Sequence, residues 1–377
     1  MKIIYISNFM NHHVKAIADE LFLILGNNFL FVETKQVKSE ESLKGSRSSD
    51  FLNLPYLYSL HNESYNIMSE DKLYSLLKEC DVVIQGDAND KYIKDSLKKN
   101  RLIFRISEHI LKGSKWDFLR TMKYFIRNYK LRNKNSFLLC ASSHAAMDMK
   151  KSKSFIGKSF KWGYFPTVFD DGFPDFSGKI STILWAGRMI DWKHPEYILY
   201  TAEILRSEHI SAVINVVGDG PLLNNIKREI ELAGLKEYVT FKGKLTANEV
   251  QYEMKTSDIF IFTSDIAEGW GAVLNESMGN SCIPIANMLA GSTNYLIEDN
   301  INGFVYDGSL ESFTQVIKTA LDLSGDRISD IKKMAYETVK YDWNAQIAVQ
   351  RLIEFIKDEN RDDWQNKYFK GPMSKAD

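Results

Sequence analysis

Short runs of β-branched and aromatic residues alternate with helical stretches along the whole chain, and no other feature restricts the fold as much. Residues 2–7 read as a strand, 8–13 as a polar loop and 14–25 as a helix with apolar residues at helical spacing. Further strand patterns fall at 28–32, 82–85, 102–105 and 137–141, with helical stretches at 70–79 and 88–98. Periodicity lapses over 154–180, a stretch with Pro166 and Pro174, and then restarts. Strands are expected at 182–186, 212–217, 239–242, 259–263 and 283–286, and helices at 194–208, 222–233, 247–255, 270–279, 310–323 and 343–357. Strands alternating with helices imply parallel sheets covered on both faces, so the fold class is α/β with two doubly wound parallel-sheet domains. The expected divisions are 1–165, a linker at 166–180, a second domain at 181–342, and a helix and tail at 343–377 packing back on the first domain. Residues 38–50, rich in Ser, Lys and Glu, read as an exposed loop.

The chain has 377 residues, 44% apolar and 26% charged, enough for a core in each domain and too apolar for large-scale disorder. Its net charge of −1 argues against a surface built for nucleic acid. The sum conceals an asymmetry: residues 1–165 carry 27 Lys and Arg against 17 Asp and Glu, net +10, and the remainder is net −11. Cys80, Cys140 and Cys282 are far apart in apolar surroundings, which suits buried free thiols in a reducing compartment. The apolar run at 3–6 is too short for a signal-peptide core, and no stretch approaches the ~18 apolar residues of a spanning helix. A cytoplasmic protein is expected, able to rest on a membrane.

Three loops that follow predicted strands carry unusual residues. Strand 182–186 leads into Gly187-Arg188-Met-Ile-Asp-Trp-Lys193, strand 212–217 into Gly218-Asp219-Gly220-Pro221, and strand 259–263 into Ser264-Asp265-Ile-Ala-Glu268-Gly269-Trp270-Gly271. In a doubly wound domain all three open on the carboxyl edge of one sheet. Arg188 and Lys193 have no acidic neighbour at helical spacing and suit a diphosphate, although two solvated surface cations would look the same. Gly269 and Gly271 let backbone amides approach an anion, or simply make a tight turn. Glu268 and Glu276 are eight apart; both reach one cleft only if the first lies on the loop, where carboxylates accept hydrogen bonds from sugar hydroxyls.

Glu268-x7-Glu276 after a strand, with Gly187-Arg188 and Lys193 upstream and Gly218-Asp-Gly-Pro221 between, resembles the donor domain of glycosyltransferase family 4 enzymes, whose GT-B fold has two Rossmann-like domains facing a cleft. The resemblance covers about 180–345 and continues weakly through Arg105-Ile-Ser-Glu-His109 and Ala141-Ser-Ser-His144. It implies that Arg188 and Lys193 hold the diphosphate of a nucleotide sugar, UDP- or GDP-linked. Glu268, with the amides after it, would address the transferred sugar, and Glu276 would bind ribose. Lys242, Gly243 and Leu245 fall where the family packs backbone against the base, and His109 where it keeps a histidine near the transferred sugar. Asn8–His13 takes the place of the usual pair of glycines, and Asn11, His12 and His13 are candidates for the acceptor side. Ser281 stands where the family commonly has glycine.

The family retains anomeric configuration. With no Asp-x-Asp pair in the sequence, cations and amides rather than a bound metal are expected to carry the leaving-group charge, and no cofactor is expected. The expected function is transfer of a hexose to a glycan or lipid-linked acceptor in bacterial surface polysaccharide synthesis. A sugar-nucleotide-binding protein without turnover and a sugar-nucleotide epimerase are the alternatives. Residues 112–134 hold eight basic residues and one acid, with Trp116, Leu119, Met122, Ile126 and Tyr129 recurring every three or four places. That pattern reads either as a core-packed helix with a solvated face or as a contact with anionic membrane.

Overall fold

The computed structural model describes residues 1–35, 51, 53–62, 65–132, 134–168, 178–358, 364 and 367–376. The loop expected at 38–50 and most of the linker lie outside these. The chain divides into two compact units, Met1–Pro166 with Asn344–Asp377, and Thr167–Trp343.

The first unit is built on β1 (Ile3–Ser7), β2 (Phe29–Glu33), β3 (Leu57–Ser59), β4 (Asn66–Ile67), β5 (Val82–Gln85), β6 (Leu102–Ser107), β7 (Ser136–Cys140) and β8 (Ser159–Lys161). They pair in parallel in the order β4-β3-β2-β1-β5-β6-β7-β8. The central strands are buried nearly throughout, which is why they read as continuous apolar runs rather than alternating ones. The helices are α1 (His12–Leu25), α2 (Glu70–Glu79), α3 (Lys94–Lys98), α4 (Asp117–Asn128) and α5 (Ala145–Lys151). Asn11 caps α1 by accepting from the Val14 amide, and Ser69 caps α2 in the same way. The helix expected over 88–98 is broken into a 3₁₀ turn, Asp90–Ile93, and α3. Strand order reverses between β1 and β5, so the loops after these strands part there and open a crevice.

The second unit contains β9 (Thr182–Ala186), β10 (Val213–Val217), β11 (Val239–Gly243), β12 (Ile259–Phe262), β13 (Ile283–Asn287) and β14 (Phe304–Tyr306). Their order, β11-β10-β9-β12-β13-β14, is that of a doubly wound dinucleotide-binding sheet, with its reversal between β9 and β12. Around it pack α6 (Tyr197–Ser207), α7 (Leu223–Leu232), α8 (Ala247–Lys255), α9 (Val273–Gly279), α10 (Thr293–Leu296), α11 (Leu310–Leu321) and α12 (Gly325–Glu337). The core joins Ile183, Trp185, Ile214, Ile259, Ile283 and Phe313. Helices α10 and α12 and strands β3, β4, β8 and β14 were not anticipated from the sequence.

The chain then returns to the first unit as α13 (Ala345–Lys357), capped by Asn344. Phe355 of this helix meets Phe104, Phe137 and Phe160 edge-on, with ring centroids 5.7, 4.8 and 5.1 Å away. Residues 373–376 then run beside β8, where the Lys161 amide donates to the Ser374 carbonyl (2.8 Å) and the Ala376 amide to the Ser159 carbonyl (3.1 Å).

Candidate active site

In the second unit the loops after β9, β10 and β12 are stitched together at the reversal of strand order. Gly187 N donates to Val217 O (3.0 Å), Met189 N to Asp219 O (2.9 Å) and Asp265 N to Trp192 O (3.0 Å). The Thr263 hydroxyl donates to the Lys193 carbonyl. Gly218 has φ +132°, and a Cβ there would stand 1.8 Å from the Gly187 carbonyl oxygen, so only glycine permits this approach. A Cβ at Gly220 would stand 2.6 Å from the Met189 carbonyl oxygen, and Gly243 at the end of β11 accepts from the Gly218 amide at 2.8 Å.

Lys193 is not the unpaired cation expected from its neighbours in sequence. Its ammonium pairs with Glu268, 75 residues away, both side chains being largely shielded from water. Local spacing detects partners one helical turn away and misses one that the sheet brings from another loop. Arg188 is exposed, with its guanidinium 5.8 Å from the Trp192 ring. The next residue after Lys193, His194, has φ +49° and is clamped between Glu196 (2.7 Å) and Asp265 (3.2 Å). The Glu196 hydrogen bond, followed by the charges of both carboxylates, holds this imidazole above its usual pKa. Sequence reading passed over this clamp, placing His194 at the start of the helix expected over 194–208, just after the loop it singled out.

The helix expected from 270 begins only at Val273, which leaves Glu268, Gly269, Trp270 and Gly271 on the loop. Trp270 is 1% exposed; its ring stacks on Trp343 at 5.8 Å and its Nε1 donates to Asn275 (2.8 Å). Its side chain is therefore enclosed, and only its backbone is left to meet a ligand. Glu276 sits in the first turn of α9, half-buried, and no described side chain bonds its carboxylate. Burial pushes that carboxyl up to about 7. Lys242 turns aside to Glu253 (3.2 Å), and Leu245 lies half-buried just before the Thr246 cap of α8. After β13, the buried hydroxyls of Ser292 and Thr293 have no partner among the described residues.

The first unit holds a cavity of about 450 Å³ at its own strand reversal, lined by Ser7, Asn11 and His13 after β1, Gly86 and Asp87 after β5, and Glu108 and His109 after β6. His109 is 3% exposed, not a surface histidine, and its Nδ1 lies 2.9 Å from the Ser142 hydroxyl. His13 stacks on Tyr164 at 4.8 Å, while the Tyr164 hydroxyl donates to Glu108 (2.6 Å). The His13 Nδ1 is buried without a partner among the described residues, and burial, then the neighbouring His12, pushes its pKa down to about 3. His13 is thus a neutral imidazole at physiological pH; His12 is exposed. Arg120, Lys123 and Tyr124 of α4 complete the wall. Among the described residues no group of acidic, His and Cys side chains could hold a metal ion, and no helix is long and apolar enough to cross a membrane.

Residues 173–338 match the family model of glycosyl transferases group 1. The chain is 21% identical over 190 residues to a GDP-mannose-dependent alpha-(1-6)-phosphatidylinositol monomannoside mannosyltransferase of Mycobacterium tuberculosis, over 48% of this chain and 49% of that protein. It is 26% identical over 180 residues to an alpha-monoglucosyldiacylglycerol synthase of Streptococcus pneumoniae, over 47% of this chain and 38% of that one. The matches thus span half or less of these curated relatives. The crystal structure of Anabaena HepE in complex with UDP superposes over 94% of this chain and 99% of HepE, with TM-score 0.67 and 15% identity. That likeness, with the two parallel sheets, makes the fold GT-B. Over residues 173–338, somewhat under half of its length, the chain is thus similar to the glycosyl transferases group 1 family.

Proposed function

We propose that the protein is a retaining, metal-independent hexosyltransferase, moving a sugar from a UDP- or GDP-linked donor to a hydroxyl of a glycan or lipid-linked acceptor in bacterial surface polysaccharide or glycolipid synthesis. The observation that carries this reading is the placement of Arg188 and the Lys193–Glu268 pair on the loops, and of Glu276 in the first turn of α9, at the strand reversal of the second unit. A dianionic diphosphate suits Arg188 and Lys193; it draws Lys193 from Glu268 and releases that carboxylate toward the sugar hydroxyls. Glu276, without a side-chain partner among the described residues, gains ribose hydroxyls as donors.

In the reaction the bond between the sugar's anomeric carbon and the diphosphate oxygen breaks, with its electron pair leaving on the phosphate. The acceptor oxygen bonds to the same face of that carbon, and its proton passes to the departing phosphate oxygen. Arg188 and Lys193 stabilise the charge that develops there. The cavity of the first unit receives the acceptor, with the neutral imidazole of His13 and the side chain of His109 as its hydrogen-bonding groups. The exposed apolar side chains of α4, flanked by cations, support a peripheral contact with the cytoplasmic face of an anionic membrane.

Nucleotide-diphosphate titration tests the donor assignment. Arg188→Ala and Lys193→Ala should each weaken binding by ~1.5–3 kcal/mol, the range of hydrogen bonds to charged groups, and EDTA should leave turnover unchanged. Unaltered affinity in both variants, or turnover abolished by chelation, overturns it.

A further inference from the structure

Lys193 after β9 and Glu268 after β12 stand on two loops, and the side chain next to Lys193 bonds across both. The Nδ1 of His194 lies 2.7 Å from the Glu196 carboxylate on its own loop, and its Nε2 lies 3.2 Å from Asp265 on the other. An ionised carboxylate only accepts hydrogen bonds, so both ring nitrogens have to donate, and a neutral imidazole has a single N–H. The clamp therefore fits the imidazolium. A neutral ring leaves one of the two carboxylates without its bond.

The backbone at this point is strained. His194 has φ +49° and ψ +57°, the left-handed region that L-residues enter at a cost, and the Pro195 that follows ordinarily pushes its predecessor toward extended backbone. Such a conformation persists where the surroundings hold it. Asp265, on the other side of the ring, sets the course of its own loop. Its amide donates to the Trp192 carbonyl (3.0 Å), its Oδ1 accepts from the Ala267 amide (2.7 Å), and its carbonyl accepts from the Glu268 amide (3.0 Å). Whatever fixes Asp265 thus fixes the turn into Glu268.

The other charged and titratable groups around the ring do not replace these partners. Tyr197 of α6, edge-on at 6.1 Å, and Tyr306 of β14 are kept neutral by burial, while Asp307 accepts from Ser309. On the ring's own loop Arg188 and Asp191 are exposed and Lys193 pairs with Glu268. The Glu196 hydrogen bond, then the charges of Glu196 and Asp265, outweigh burial and raise the imidazole above its usual 6.5. Because the native value is raised, the clamp is complete below the usual value and is lost as pH rises through the raised one.

We infer that His194 is a positioning residue of the donor site: its imidazolium ties the Lys193 loop to the Glu268 loop, so that nucleotide diphosphate binds best to the form carrying both ring protons. The inference rests on the proposed donor site and adds a proton-dependent tie behind the groups that touch the ligand. Linkage is reciprocal, so a ligand that prefers the protonated ring also raises the ring's pKa when it binds.

Affinity for UDP and for GDP is measured by calorimetric titration of the full chain from about pH 6 to about pH 9, in the wild type and in His194→Gln, Asp265→Asn and Glu196→Gln. Dividing each affinity by that of His194→Gln at the same pH removes the titration of the nucleotide's own phosphate and of Glu276. The wild-type ratio should be about tenfold at the acidic end and fall toward one at the alkaline end. Asp265→Asn should reverse the trend. Its amide oxygen keeps the Ala267 bond and its N–H faces Nε2, which accepts only in the neutral ring, so the ratio should grow with pH. Glu196→Gln removes the carboxylate that does most to hold the proton, and its fall should move to lower pH. In proton NMR, the histidine signal absent from His194→Gln should titrate at higher pH when nucleotide is bound.

A wild-type ratio indifferent to pH, or a His194 signal that titrates alike with and without nucleotide, would overturn the inference. So would Asp265→Asn with the wild-type trend, since the ring would then act on the phosphate as a charge and not as a tie. If Asp265→Asn does not fold, a Glu196→Gln fall left at the wild-type pH overturns it instead. Wild-type protein that binds neither UDP nor GDP would overturn the donor-site reading, and the inference with it.

Discussion

Replacing Glu276 by Gln should make the protein more stable and bind nucleotide less well. Its carboxyl is lifted by burial from 4.5 to about 7, with no described side chain compensating its charge. At 1.36 kcal/mol per pH unit, that lift corresponds to about 3 kcal/mol by which the ionised carboxylate opposes folding. The sign follows from the direction of the shift: a raised native pKa means the native state holds its proton longer than the unfolded state. The penalty is absent below the unfolded pKa, grows as pH rises from 4.5 to about 7, and is constant above. Gln has nearly the same shape and no charge. Calorimetry at a series of pH values should therefore show the variant's transition for the second unit above wild type at pH 8 by about 6–12 °C, and the gap should close toward pH 5. Saturating nucleotide diphosphate should narrow it at every pH, since ribose hydroxyls satisfy the carboxylate only in the wild type. A variant that melts at or below wild type at pH 8, or a gap indifferent to pH, would refute the reasoning.

Asp90→Asn removes the charge opposite buried Arg105 and should destabilise the first unit by about 3 kcal/mol in denaturant unfolding, with faster amide exchange in α4. Burial alone would raise the Asp90 carboxyl, but Arg127 and Arg105 outweigh it and hold it below the usual range, so its stabilisation is present above that range and is lost as pH falls through the depressed value. Gly271→Ala places a Cβ 2.3 Å from the Phe262 ring at φ +86°, and should lower both the stability of the second unit, by about 1–3 kcal/mol, and its nucleotide affinity by displacing the neighbouring Glu268.

The strands at the centres of both sheets were legible because parallel strands covered on two faces become apolar runs such as Val82–Gln85 and Ile259–Phe262. The edges were not: Leu57–Ser59 and Asn66–Ile67 are too short to show any period. Arg188, Lys193, Glu268 and Glu276 could be named from loops after strands, yet the Lys193–Glu268 pair could not, since it depends on β9 and β12 being neighbours. Periodicity likewise revealed that 112–134 is amphipathic without saying which side faces inward; that was decided by Asp90, on another element. Ser281 adopts φ +64°, the left-handed conformation that glycine takes most easily, so the conformation expected at this position was legible from the resemblance although the residue differs.

The return of α13 to the first unit has a consequence for biosynthesis. The second unit is continuous in sequence, so it can close on itself as soon as residue 343 has left the ribosome. The first unit, although made earlier, must wait with Phe104, Phe137 and Phe160 uncovered until Phe355 arrives. Order of folding thus runs opposite to order of synthesis, and a chain halted at residue 343 would hold a finished second unit and an open, aggregation-prone first one.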